Sequence, residues 1–234
     1  MKGRQTLRLM VWMVAAAMMA AGMAARAQSS SDDNKGPVVH GSIAANQPPK
    51  YDNRWEVFGG LSYQNWTAGP VFIPRSNSGG GEAMVNRWFT GPVKWLGPNR
   101  LGVTASLRGE YGTTPVHVNA VGLNRTLVYQ NMGLIGATLR GPDGPNFAFD
   151  LHVLAGSSRG DFSKGTEPAA APQNVGLYTN RWAPVGAIGT SIDLNLQRKI
   201  AVRFQPDLML SHWGNATDTN FFISVGLLYR FDRK

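Results

Sequence analysis

From Asn53 onward the apolar residues recur at every second position. The clearest stretch is Asn220 to Phe231 (NFFISVGLLYRF), where one face carries Phe221, Ile223, Val225, Leu227, Tyr229 and Phe231. The opposite face carries Phe222, Ser224, Gly226, Leu228 and Arg230. A period of two fits a strand and no helix template. The same alternation sets Val57, Leu61 and Tyr63 against Glu56, Ser62 and Gln64, and Leu101, Val103, Ala105 and Leu107 against Thr104, Ser106, Arg108 and Glu110. It recurs with Phe147, Phe149, Leu151 and Val153 against Asp150, His152 and Leu154, and with Val202, Phe204, Leu208 and Leu210 against Arg203, Gln205, Asp207 and Ser211. Weaker versions span 82–95, 125–140 and 180–195, which brings the strands to eight.

The connections alternate in length. Tight turns are predicted at 96–99, 141–145 and 196–198, and long links at 67–81, 113–124 and 159–179, with 213–217 a short member of the second set. All tight turns then fall at one end and all long loops at the other. That pattern predicts an all-β fold, an eight-stranded antiparallel up-and-down transmembrane β-barrel. The faces agree with it. The less apolar face holds Glu56, Lys94, Arg108, Glu110, Asp150, Asp193, Arg203, Asp207 and Arg230. Facing hydrocarbon, a midplane Arg or Lys costs about 2–4 kcal/mol, whereas enclosed charges can pair with one another. This set is expected to form a lumen charge network. Trp55, Trp66, Trp95, Tyr111, Trp182, Trp213, Tyr229 and Phe231 lie near the predicted strand ends, where interfacial aromatic girdles belong.

The first 27 residues read differently. Lys2, Arg4 and Arg8 precede the apolar run Leu9 to Ala25, and Ala25-Arg26-Ala27 has the form of a cleavage site. Residues 1–27 are expected to be a signal peptide, 28–53 a flexible periplasmic tether rich in Ser, Asn and Pro, and 54–234 the barrel, placing the protein in the outer membrane. The formal charge of +9 shrinks on export, because the leader holds four of the 23 basic residues and none of the 14 acidic ones. The remaining Lys and Arg are scattered singly, which argues against nucleic acid. Cysteine is absent, excluding disulfides, thiolate metal sites and a cysteine nucleophile.

Several segments resemble a known group. WEVFGGLSYQNW is similar to the first strand of small OmpA-like outer membrane β-barrel domains, and RLGVTASLRGEYG and SIDLNLQRKIAVRFQPDLMLSHW resemble strand–turn–strand units of that family. The terminal VGLLYRF resembles the β-signal, carried here by Phe221, Ile223, Val225, Leu227, Tyr229 and Phe231. The resemblance covers about 54–231 and implies outer membrane lipids and the barrel assembly machinery as partners. It departs from the family in the extension Asp232-Arg233-Lys234 and in lacking a peptidoglycan-binding domain, so cell-wall anchoring does not carry over.

Candidate chemistry is sparse. Asp150 and His152 share a predicted inner face, while Ser211 and His212 are adjacent in a strand and point to opposite sides, which rules them out as a nucleophile–base pair. Arg159-Gly160-Asp161 spells an adhesion tripeptide in the third long loop, and Asn65, Asn124 and Asn215 head glycosylation-type triplets; neither pattern carries weight in Gly-rich loops of a bacterial-type barrel. Val71, Phe72 and Ile73 form an apolar loop patch, and Ser78-Gly79-Gly80-Gly81 reads as loop with no following helix, so no phosphate site is expected there. No cofactor or metal site is expected, and no enzymatic activity. An eight-stranded interior is filled by its own side chains. The expected role is therefore structural, or binding of an extracellular ligand through the loops. A narrow gated channel for small solutes is the alternative, and a lipid-modifying hydrolase a weaker one.

Overall fold

The computed structural model describes residues 51–70, 74–89, 100–116, 124–164, 166 and 171–231. Its strands are β1 (Trp55–Trp66), β2 (Ser76–Phe89), β3 (Leu101–Pro115), β4 (Arg125–Asp143), β5 (Phe147–Asp161), β6 (Arg181–Asn195), β7 (Ile200–Trp213) and β8 (Ala216–Phe231). Each pairs antiparallel with its sequence neighbour, and β8 closes on β1. A 3-10 turn, Pro172–Val175, lies between β5 and β6.

The register fixes the shape. The ladder runs from Trp55 through Arg87, Val103, Ala137, Val153, Ile188, Leu208 and Phe221, and returns to β1 at Asn65, ten residues along from its start. With a rise near 3.3 Å and a strand spacing near 4.8 Å, that offset over eight strands gives a tilt of roughly 40° and a backbone radius of roughly 8 Å. Such a cylinder has room for side chains and no more.

Alternation puts bulky apolar residues outside. Leu61 is 79% exposed and Leu107 68%, and Ile135, Val153, Ile188 and Leu227 are also exposed. The inward set is polar and buried. The expected in/out register of all five strongly alternating segments is the one observed.

Some boundaries differ. β2 occupies Ser76–Phe89 rather than 82–95, so Ser78-Gly79-Gly80-Gly81 lies inside a strand and not in a loop. Glycines carry no side chain to alternate, which hid the strand's first half. Arg159-Gly160-Asp161 likewise closes β5 instead of sitting in the following loop. The β7–β8 connection is the two-residue turn Gly214–Asn215, whose tightness requires the positive φ of 67° at Gly214. The leader, the 28–50 part of the tether, the Val71–Ile73 patch, the turn at 96–99 and the Asp232–Lys234 extension lie outside the described residues.

Candidate functional site

The site is the lumen, and it is stacked in decks. At the end where β1 begins and β8 finishes, three acids and three arginines alternate. Arg140 bonds Glu56 at 2.5 Å and Asp150 at 3.3 Å; Arg203 bonds Asp150 at 3.0 Å and Asp193 at 2.7 Å; Arg230 bonds Asp193 at 3.0 Å and lies 3.4 Å from Glu56. All six side chains are nearly fully buried. Removing charges from water costs several kcal/mol per ion, so only mutual pairing makes this deck tolerable.

Tyr51 seals the deck from below. Its ring lies 5.1 Å from the Arg140 guanidinium and 5.2 Å from that of Arg230, and its hydroxyl donates to the Gly144 carbonyl at 2.8 Å. Asn53 donates to Glu56 at 2.9 Å. The last residues of the expected tether are thus structured parts of the barrel floor. Burial raises the Tyr51 phenol above its ordinary pKa, with the Asn195 amide and both arginines pulling the other way.

The middle deck centres on Glu82 and Asp207. Glu82 accepts from Arg108 at 2.9 Å, Ser106 at 2.7 Å and Ser224 at 2.6 Å. Asp207 takes the other arm of Arg108 and sits 2.8 Å from His152 Nε2. An apolar cluster of Met132, Leu134, Leu154, Val185, Ala187, Met209 and Phe222 fills the rest of the cross-section. The Arg108 guanidinium stacks over Phe222 at 4.3 Å.

Above it comes a deck of polar side chains around Glu110. Ser62 donates to Glu110 across Gly80, and Gln64, Gln130, Ser158 and Asn220 face inward, fully buried. The mouth at the long-loop end is closed by Trp66, Phe162, Tyr178 and Trp213 with Ala68, Val128, Val175, Leu177 and Ala183. Phe162 packs edge-on to Trp213 at 5.3 Å, and Tyr178 stacks on Trp213 at 5.9 Å. The Tyr178 hydroxyl donates to Asp218 at 2.8 Å, and its backbone N–H to the Ala68 carbonyl at 3.0 Å. Burial and the Asp218 carboxylate push the Tyr178 phenol well above the usual tyrosine range.

Of the nine residues expected in the lumen network, eight face inward, while Lys94 lies outside the described residues. Sequence reasoning missed Glu82 and Arg140, both inward and both ion-paired. Both lie at the ends of the two weak segments, 82–95 and 125–140, and carrying the inward parity through to those ends finds them. The girdle needs a larger correction. Trp55, Tyr111, Trp182, Tyr229 and Phe231 are exposed on the outside, but Trp66 and Trp213 point inward and form the mouth plug. Trp95 lies outside the described residues. Ser211 is inward and His212 outward, where its Nδ1 meets Thr217 at 2.8 Å. The six β-signal positions all face outward, with Tyr229 and Phe231 in edge-to-face contact at 4.9 Å.

Solved structures similar to this chain include small barrels from bacteria. The Neisserial surface protein A structure matches with a TM-score of 0.50 at 7% identity, over 76% of this chain and 97% of that one. The fold is that of the small outer membrane β-barrels. OprG from Pseudomonas aeruginosa (TM-score 0.49, 10% identity, 82% of this chain and 100% of that one) and Ail, the attachment invasion locus protein of Yersinia pestis (0.45, 12%, 76% and 99%), are also similar. No family model matches the chain, and no curated protein matches it by sequence.

Proposed function

We propose that this chain is an outer membrane protein that works as a closed scaffold, non-enzymatic, presenting its loops to the exterior for a structural or surface-binding role. The observation that carries this reading is closure at both ends: the Tyr51 floor with its paired charges, and the Trp66–Phe162–Tyr178–Trp213 plug. The apolar exterior requires a lipid environment, since exposed leucines and isoleucines cover the cylinder. His152 and Asp207 meet in mid-barrel, away from any rim where a lipid ester could enter, which supports a packing role for the pair. The outward Phe221-to-Phe231 face fits recognition by the assembly machinery.

Planar-bilayer recording of the refolded protein tests the scaffold reading. Electrical silence with the barrel inserted is the expected result. Stable, well-resolved unitary channels would overturn it in favour of a narrow pore for small solutes.

A further inference from the structure

The outer wall is not uniform. Over β6–β8 it is carpeted by Ile188, Leu194, Phe204, Leu210, Val225 and Leu227. Over β2–β5 it is hollowed. Ala83, Ala105, Gly133, Ala155 and Ser157 line a concavity of about 410 Å³, flanked by Leu107 and Ile135. It continues at Ala83 and Leu107 into a second hollow running past Gly81 and Gly109 to Asn131.

Packing within the barrel does not demand a glycine at 133. A Cβ at Gly133 would meet only Leu107, at 3.7 Å, which is ordinary contact. Inward glycines such as Gly136 and Gly156, by contrast, face backbone atoms of the next strand too close for any side chain. Glycine weakens a strand and often marks a close approach by another molecule. No contact among the described residues requires glycine at 133.

Two cations stand over the upper end of the hollow. Arg159 pairs in register with Asn131, immediately above the Gly133–Ser157 pair. Its guanidinium lies 5.9 Å over the Trp182 ring, which holds it against the wall. Lys164 sits 5.8 Å over Tyr129. Both are exposed, and neither has an ion-pair partner among the described residues; the nearby Asp161 carboxylate is turned to Ser163 and Asn180. Bare cations over aromatic rings above an apolar groove complement a phosphate joined to an acyl chain.

We propose that the β2–β5 wall holds one phosphorylated glycolipid of the lipid A type. Its phosphate lies between Arg159 and Lys164, and one acyl chain fills the groove over Gly133 and Ala105. The cations sit at the long-loop end, which faces the exterior leaflet where such lipids reside; the inference rests on the outer membrane reading in that respect.

Native mass spectrometry of the full chain, released from detergent after incubation with bis-phosphorylated lipid A or with phosphatidylglycerol, tests it. The wild type should retain a single lipid A. Arg159→Gln with Lys164→Gln should lower retention at least tenfold, and Gly133→Leu, which fills the groove without touching the lumen, should do the same. Phosphatidylglycerol should bind at least tenfold more weakly than lipid A. Equal retention by all variants, or equal binding of the two lipids, would overturn the site. Heat-modifiable migration of each variant on a gel reports folding separately. A folded wild type that inserts into vesicles yet retains no lipid defeats the site alone, whereas failure to insert defeats the membrane reading and the site with it.

Discussion

His152 on β5 and Asp207 on β7 bond at 2.8 Å across the intervening strand, directly over Gly189. A Cβ at Gly189 would fall inside the Asp207 carboxylate, so the pair exists only because that position has no side chain.

Gly189→Val is therefore expected to push Asp207 away from both His152 and Arg108. Breaking a buried pair typically costs about 3–5 kcal/mol, and a loss of that order should appear as a lowered urea midpoint for refolding into vesicles. A midpoint unchanged from wild type would show that the pair contributes nothing.

Arg203→Met should also be damaging, because it takes one of two paired arginines from each of Asp150 and Asp193 in a dry interior. A loss of about 3–5 kcal/mol is expected. Adding Asp193→Asn should recover part of it, and a double-mutant cycle measures how much. Strict additivity of the two changes would contradict the network.

The mouth plug and the charge decks are independent closures. The Phe162→Ala, Tyr178→Ala double variant should expose residues 171–180 to protease, since large aromatic truncations cost about 3–5 kcal/mol where they are buried. It should remain electrically silent, because the floor is intact. Conductance in this variant would locate the whole barrier at the mouth.

Tyr178 should titrate late. Its protonated form is favoured in the fold, so its contribution to the plug is fully present below pH 10.0, the ordinary tyrosine value, and is lost as pH rises through the higher folded value. Tyrosinate absorbance of wild type and Tyr178→Phe should differ only above that ordinary range. A difference centred on the ordinary value would mean that the hydroxyl is free in solution.

Tyr229→Ala and Phe231→Ala should each slow assembly by purified barrel-assembly machinery in proteoliposomes, while Leu228→Ala, which faces inward, should mainly lower stability. Equal assembly rates for the outward variants and wild type would remove the β-signal reading.

The strands whose side chains alternate in size were legible from the sequence, as were their inner faces. β8 and β3 gave both their register and their charges. β2 did not, because Ser76 to Gly81 has the composition of a loop, which left Glu82 at the edge of a weakly alternating segment instead of in mid-strand. Trp66 and Trp213 mislead for another reason. An aromatic at a strand end suits an interface, but inward parity puts both against Phe162 and Tyr178, and that packing joins residues distant in sequence. The Tyr51 floor was equally invisible, since a lone tyrosine in a Pro- and Asn-rich segment carries no periodicity.

Arg230 on β8 ties the last strand to the first, touching Glu56 on β1, and reaches Asp193 on β6. The seam between first and last strands is thus locked by groups that cannot meet until every strand between them is in place. An open sheet of seven strands leaves Glu56 and Asp193 each short of a cation, inside a bilayer that offers no water. Half-wound intermediates are penalised in proportion, and winding should pass from open to closed in one cooperative event, slow because its decisive contacts join the most distant parts of the chain.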